Sequence, residues 1–177
     1  MKKISKSLRF YFGMIIFSII FYQCCTEEYR ITGGGSLQIT DSINSKSDTI
    51  SNEFELYNYI DYEVVYENYN VGIITSSLAL SCDVQFVNPL VQETIVLSFS
   101  NDIEYKSETI LAGSNILDFD VEEIFMDNYE GTLWFRFSKE FIEMTTIPNG
   151  EYIISLSGET ADGLQFQNEV STVFNFN

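Results

Sequence analysis

Histidine is missing from the 177 residues altogether. With it go Ser-His and Cys-His nucleophile activation, imidazole ligation of zinc or haem iron, and an imidazole base near neutrality. Positive charge is scarce: 9 Lys+Arg stand against 26 Asp+Glu, a formal charge of −17. Nucleic acid is therefore not an expected partner, because its phosphates demand a Lys/Arg surface. No apolar run is long enough to cross a bilayer: the longest, FYFGMIIFSIIFY from Phe10 to Tyr22, has 13 residues. As a helix it would span about 20 Å of a ~30 Å hydrocarbon core. What is present is a length suited to one domain and 45% apolar residues, enough for a core and too many for wholesale disorder.

The first 25 residues form an address. Lys2, Lys3, Lys6 and Arg9 precede the apolar run, and no acidic residue occurs before Glu27. A basic stretch followed by a short apolar one has the layout of a secretory signal peptide. The run stops at Gln23-Cys24-Cys25 and turns acidic at Thr26-Glu27-Glu28. This ending resembles a bacterial lipoprotein signal, in which a dedicated peptidase cuts just before a cysteine whose sulfur carries diacylglycerol. The resemblance implies Cys24 as the lipidated residue, with Cys25 the alternative, although Gln23 stands where Gly, Ala or Ser is usual. An uncleaved N-terminal anchor or an ordinary signal cut elsewhere are the competing readings, the latter without a small-x-small cleavage motif. The expected organisation is a signal-peptide helix over 1–23, a lipidated cysteine with a flexible acidic and glycine-bearing tether over 24–36, and one domain over 37–177. The tether is read from Gly33-Gly34-Gly35 and the lack of apolar periodicity before it.

Downstream, alternation of period 2 dominates. Ile60, Tyr62, Val64 and Tyr66 oppose Asp61, Glu63 and Glu67; Leu78, Leu80 and Cys82 oppose Ala79, Ser81 and Asp83. The same pattern recurs at Ile95/Leu97/Phe99, Leu133/Phe135/Phe137, Tyr152/Ile154/Leu156 and Val170/Thr172/Phe174/Phe176. Such runs of β-branched and aromatic residues predict half-buried strands. Pro148-Asn149-Gly150 introduces one strand, and Asp162-Gly163 marks a hairpin between the last two. Helix is expected only as one or two turns at Val121–Asp127 and Ser138–Met144, the second with Ser138 as cap before Phe141. Six or seven strands with so little helix predict an all-β fold, an antiparallel β-sandwich of Ig-like general architecture.

The signal peptide, the tyrosine-rich strand around Asp61–Tyr66, Ala79-Leu80-Ser81-Cys82-Asp83, the strand Glu93–Phe99 and the closing pair Gly150–Phe176 together resemble a family of small uncharacterised lipoproteins of the Bacteroidota. The resemblance implies a lipid anchor in the outer membrane, not a reaction. Glu27 and Glu28 resemble the acidic export signal of surface-displayed members, with the periplasmic face as the alternative.

Candidate sites are few. Cys82 lacks a histidine or basic neighbour to activate it and reads as a small buried hydrophobe. Asp118, Asp120 and Glu122 begin like a calcium loop, yet Glu123 stands where the EF-hand turn needs glycine, and a solvated acidic loop is the stronger reading. No cofactor is expected, and no enzyme: carboxylate pairs arise by chance among 26 acids. Aromatics are the surplus. Tyr57, Tyr59, Tyr62, Tyr66 and Tyr69 are crowded enough that some must reach the surface. Tyr57, Tyr59 and Trp134 are the expected platform for a protein partner or for sugar rings. The sequence thus predicts a non-enzymatic, lipid-anchored module that binds another envelope protein, with a glycan-binding surface lipoprotein as the alternative.

Overall fold

A computed structural model describes residues 26–41, 48–67, 83–119, 124–129 and 132–176 of the chain. Among them are twelve strands: β1 Thr26–Asp41, β2 Thr49–Ile50, β3 Phe54–Glu67, β4 Asp83–Phe86, β5 Val96–Phe99, β6 Ile103–Tyr105, β7 Glu108–Ile110, β8 Ile124–Tyr129, β9 Thr132–Phe137, β10 Thr145–Thr146, β11 Gly150–Glu159 and β12 Gln165–Phe174. One short helix, α1, spans Lys139–Met144. The strands form a five-stranded sheet (β4-β1-β3-β9-β8), a four-stranded sheet (β2-β12-β11-β5) and a three-stranded one (β10-β6-β7). The fold is all-β, with several sheets packed together as in a sandwich. Among the described residues the strands pair antiparallel, as in β11 with β12 and β3 with β9, while β2 with β12 is a two-residue parallel contact.

The chain divides into two compact units. The smaller takes in 26–29, 64–67 and 83–85 of the described residues; the larger, Arg30–Glu63 with Phe86 onward, contains the core. Alternation builds that core directly. Leu133, Phe135 and Phe137 of β9 are buried, as are Tyr152, Ile154 and Leu156 of β11 and Leu97 and Phe99 of β5. Phe137 stacks on Phe54 with ring centroids 4.3 Å apart and meets Phe99 of the four-stranded sheet edge-on at 6.1 Å. Ser138 caps α1 by accepting from the Phe141 N–H at 3.3 Å, and Phe141 packs into the core beside Phe137 at 5.2 Å.

Two local expectations are corrected. Val121–Asp127 is not helical where described: Ile124–Tyr129 pairs with β9 from Ile124↔Phe137 to Tyr129↔Thr132. The supposed tether is strand. β1 runs from Thr26 through the three glycines to Asp41, with Ile31, Leu37 and Ile39 buried. Glycine there serves close approach rather than flexibility. Gly35 has φ +63°, and a Cβ on it would collide with the Tyr59 carbonyl oxygen; one on Gly34 would lie 2.7 Å from Phe166 Cβ. Residues 26–36, expected as tether, are thus part of a strand. The run 78–82, including Cys82, lies outside the described residues, as do Cys24 and Cys25.

Two asparagines act as one-residue strands. The Asn88 side chain accepts from the Ile31 N–H at 2.8 Å and donates to the Ile31 carbonyl at 3.0 Å. Asn115 treats β5 alike, accepting from the Leu97 N–H at 3.0 Å and donating to the Ile95 carbonyl at 3.4 Å. Asn88 also donates to Asp162 at 3.1 Å, which fastens β1 to the β11–β12 hairpin. Thr160 first, then Asn88, holds the Asp162 carboxyl below its ordinary range. A lowered carboxylate stabilises the fold above its unfolded value, and that contribution is lost as pH falls through the folded one. Asn88→Ala leaves a buried N–H and carbonyl unpaired and is expected to cost about 2 kcal/mol, read as a lower urea midpoint with unchanged slope.

Candidate functional site

The outer face of the five-stranded sheet follows from the alternation in β3. Phe54, Leu56, Asn58 and Ile60 point into the core and are buried, so Glu55, Tyr57, Tyr59, Asp61 and Glu63 take the other face. On β9 the same logic turns Trp134 and Arg136 outward. Register sets Tyr57 opposite Trp134, Glu55 opposite Arg136 and Tyr59 opposite Thr132.

The three aromatic residues expected to form a platform are brought together. Tyr57 lies 6.4 Å from Tyr59 and 6.3 Å from Trp134, centroid to centroid, with planes within 17° and 15° of parallel. Tyr59 is 47% exposed, while Tyr57 and Trp134 are half-buried. The Tyr57 hydroxyl donates to Glu55 Oε2 at 2.5 Å. To reach a carboxylate two residues back, its ring must lean along the strand rather than stand off the sheet. Trp134 Nε1 is buried with no hydrogen-bond partner among the described residues.

Charge frames the rings. Arg136 lies 3.8 Å from Glu53 and 3.9 Å from Glu55, both longer than a hydrogen bond, and its side chain remains 49% exposed. Burial, then the hydrogen bond and charge of Glu55, push the Tyr57 phenol from 10.0 up to about 12. A raised phenol favours the fold below its unfolded value and loses that contribution as pH rises through about 12. In Glu55→Gln, Tyr57 is expected to ionise lower but still above 10.0, since burial is the largest cause. Difference absorbance titration of phenolate against the parent protein measures this.

Other expected residues fare differently. Alternation places Tyr62 and Val64 on the face of Ile60, but the core ends at Ile60; Tyr62 is 49% exposed and meets Phe86 edge-on at 6.1 Å. Asp118, itself exposed, ends a 3-10 turn whose Ile116 is buried, and its carboxylate accepts from Asn115 Nδ2 at 2.9 Å. Asp120 and Glu122 lie outside the described residues, and no group of three or more His, Cys, Asp or Glu able to hold a metal occurs among the described ones. A shallow groove on the four-stranded sheet is lined by Asp48, Ser100, Ile153, Ser171 and Val173. No described helix is long and apolar enough to cross a membrane.

Glu55 and Arg136 were not singled out by sequence reasoning. The signal for Glu55 lies in the alternation: at alternate positions from residue 53, the chain reads Glu, Glu, Tyr, Tyr, Asp, Glu. The architecture defines the chain as an all-β sandwich protein. Compared with protein-family models and with curated proteins, it matches none.

Proposed function

We propose that the protein is a non-enzymatic binding module of the bacterial outer membrane, held by a lipid on Cys24, with the Tyr57–Tyr59–Trp134 face as its binding surface. The observation that supports the binding half is the assembly of three near-parallel rings, one strongly exposed, on the outside of a sheet whose inner face is filled by core. Aromatic residues of this kind supply large contact area with little conformational entropy to lose, and they are enriched at protein interfaces. The anchor half rests on the basic and apolar N-terminus ending at Cys24-Cys25. An exported domain of 26 acids and 5 bases, Thr26 to Asn177, carries a formal charge of −21. It is repelled by anionic headgroups, so residence at a membrane needs the acyl chains, each buried CH2 contributing about 0.8 kcal/mol.

A second reading, a glycan-binding surface lipoprotein, is favoured by the flanking of the rings with Glu55 and Asp61, which could accept from sugar hydroxyls. Photo-crosslinking in cells tests the shared surface. A crosslinking side chain at position 59 is expected to give adducts that are absent when the probe replaces Ile153 on the four-stranded sheet. Equal adducts at both positions, or none at 59, would overturn the assignment of this face.

A further inference from the structure

Resting on the reading of the Tyr57–Tyr59–Trp134 face as a binding surface, we propose that its ligand is an extended, positively charged peptide segment of a partner protein, with alternate Lys or Arg side chains laid over the rings. Three observations support this occupant.

The first is the order of side chains along β3. Tyr57 and Tyr59 are bracketed by Glu53 and Glu55 at one end and by Asp61 and Glu63 at the other. Arg136, the cation beside these rings on β9, is shared between Glu53 and Glu55, so that end stays net negative. A ring quadrupole attracts a cation over its face, and nearby carboxylates attract the same charge, so the two recognise one kind of group.

The second is the scarcity of spare positive charge among the described residues. Each Lys or Arg among the described residues already has a partner. Arg30 meets Asp162 and Arg136 its two glutamates, Lys139 lies 3.2 Å from Glu143, and the Lys106 ammonium sits 4.7 Å over the Tyr105 ring. The described basic side chains are thus already engaged, and a basic segment from another protein would be steered to the acidic surface by complementary charge.

The third is spacing. Alternate side chains of an extended peptide are separated by about 6.6 Å. The Tyr57 and Tyr59 ring centroids are 6.4 Å apart. A Lys-x-Lys segment running along β3 thus matches the repeat of the rings and offers an ammonium to the exposed Tyr59, with carboxylates beyond both ends to take further cations.

Trp134 is the only tryptophan in the chain, so its emission reports on this face alone. The test titrates the whole mature domain with the peptide Ser-Lys-Ser-Lys-Ser-Lys-Ser, its Gln-for-Lys counterpart, and maltohexaose. The Lys peptide is expected to change Trp134 emission saturably, the Gln peptide at least tenfold more weakly. Raising salt from about 0.1 M to about 1 M, which cuts the screening length from about 10 Å to about 3 Å, should weaken binding about tenfold. Tyr59→Ala, at an exposed position, should weaken it about fivefold, and Asp61→Asn with Glu55→Gln should weaken it further while circular dichroism stays unchanged. Equal binding of the Gln peptide, insensitivity to Tyr59→Ala, or a response to maltohexaose and not to lysine would overturn the proposal. If position-59 crosslinks still form on cells in that case, the binding face survives and only the cationic ligand is lost. If they too are absent, the face itself is wrong.

Discussion

Gly35→Ala is expected to destabilise the protein by at least about 3 kcal/mol, the size of effect that comes from strain at a special backbone conformation combined with a clash. Both are present. Gly35 has φ +63°, a region that costs an L side chain energy, and its Cβ would land on the Tyr59 carbonyl oxygen, which belongs to backbone and cannot swing away. The β1–β3 contact would have to open, in the strand that also presents the aromatic face. Gly33→Ala is the internal control: its Cβ would lie 3.6 Å from Asp61 Oδ2, an ordinary contact, and φ there is not positive. That variant should stay within about 0.5 kcal/mol of the parent. Urea unfolding of the two variants decides between strand and tether, since in a tether both would be silent.

Phe137→Ala is expected to cost about 4 kcal/mol. Phe137 is fully buried, stacks on Phe54 and touches Phe99 and Phe141 edge-on, so one ring joins the five-stranded sheet, the four-stranded sheet and α1. Its removal loses transfer energy and leaves a cavity lined by rings that cannot all collapse. Against a total stability of about 5–15 kcal/mol, such a loss leaves the fold marginal. Phe137→Leu keeps most of the volume and should cost about 1.5 kcal/mol or less. Denaturant midpoints rank the three proteins.

What could be read from the sequence was local. The β9 segment Thr-Leu-Trp-Phe-Arg-Phe shows its buried face by alternation alone. Asp162-Gly163 marks the β11–β12 hairpin because a tight turn needs little beyond its own residues, and Ser138 reveals α1 because a cap bonds three residues on. The misreadings came from long-range partners. Three consecutive glycines read as slack chain until β3 is placed beside them; only then does Gly35 become a close approach to Tyr59. Ile124–Tyr129 carries apolar residues at spacings compatible with a helical turn, and pairing with β9 overrides them. Asn88 gave no signal, since the strand it completes lies 57 residues away. The site was half legible: Tyr57 and Tyr59 share a face by period 2, whereas Trp134 joins them through register.

The proposal that the protein is a lipid-anchored module is tested most directly by mass spectrometry of the mature protein extracted from membranes. The expected N-terminal peptide begins at Cys24, with diacylglycerol on its sulfur and an acyl chain on its amine, and a Cys24→Ala protein should fail to mature and lose its membrane partition. A mature chain that begins elsewhere, with Cys24 and Cys25 both unmodified, would contradict this.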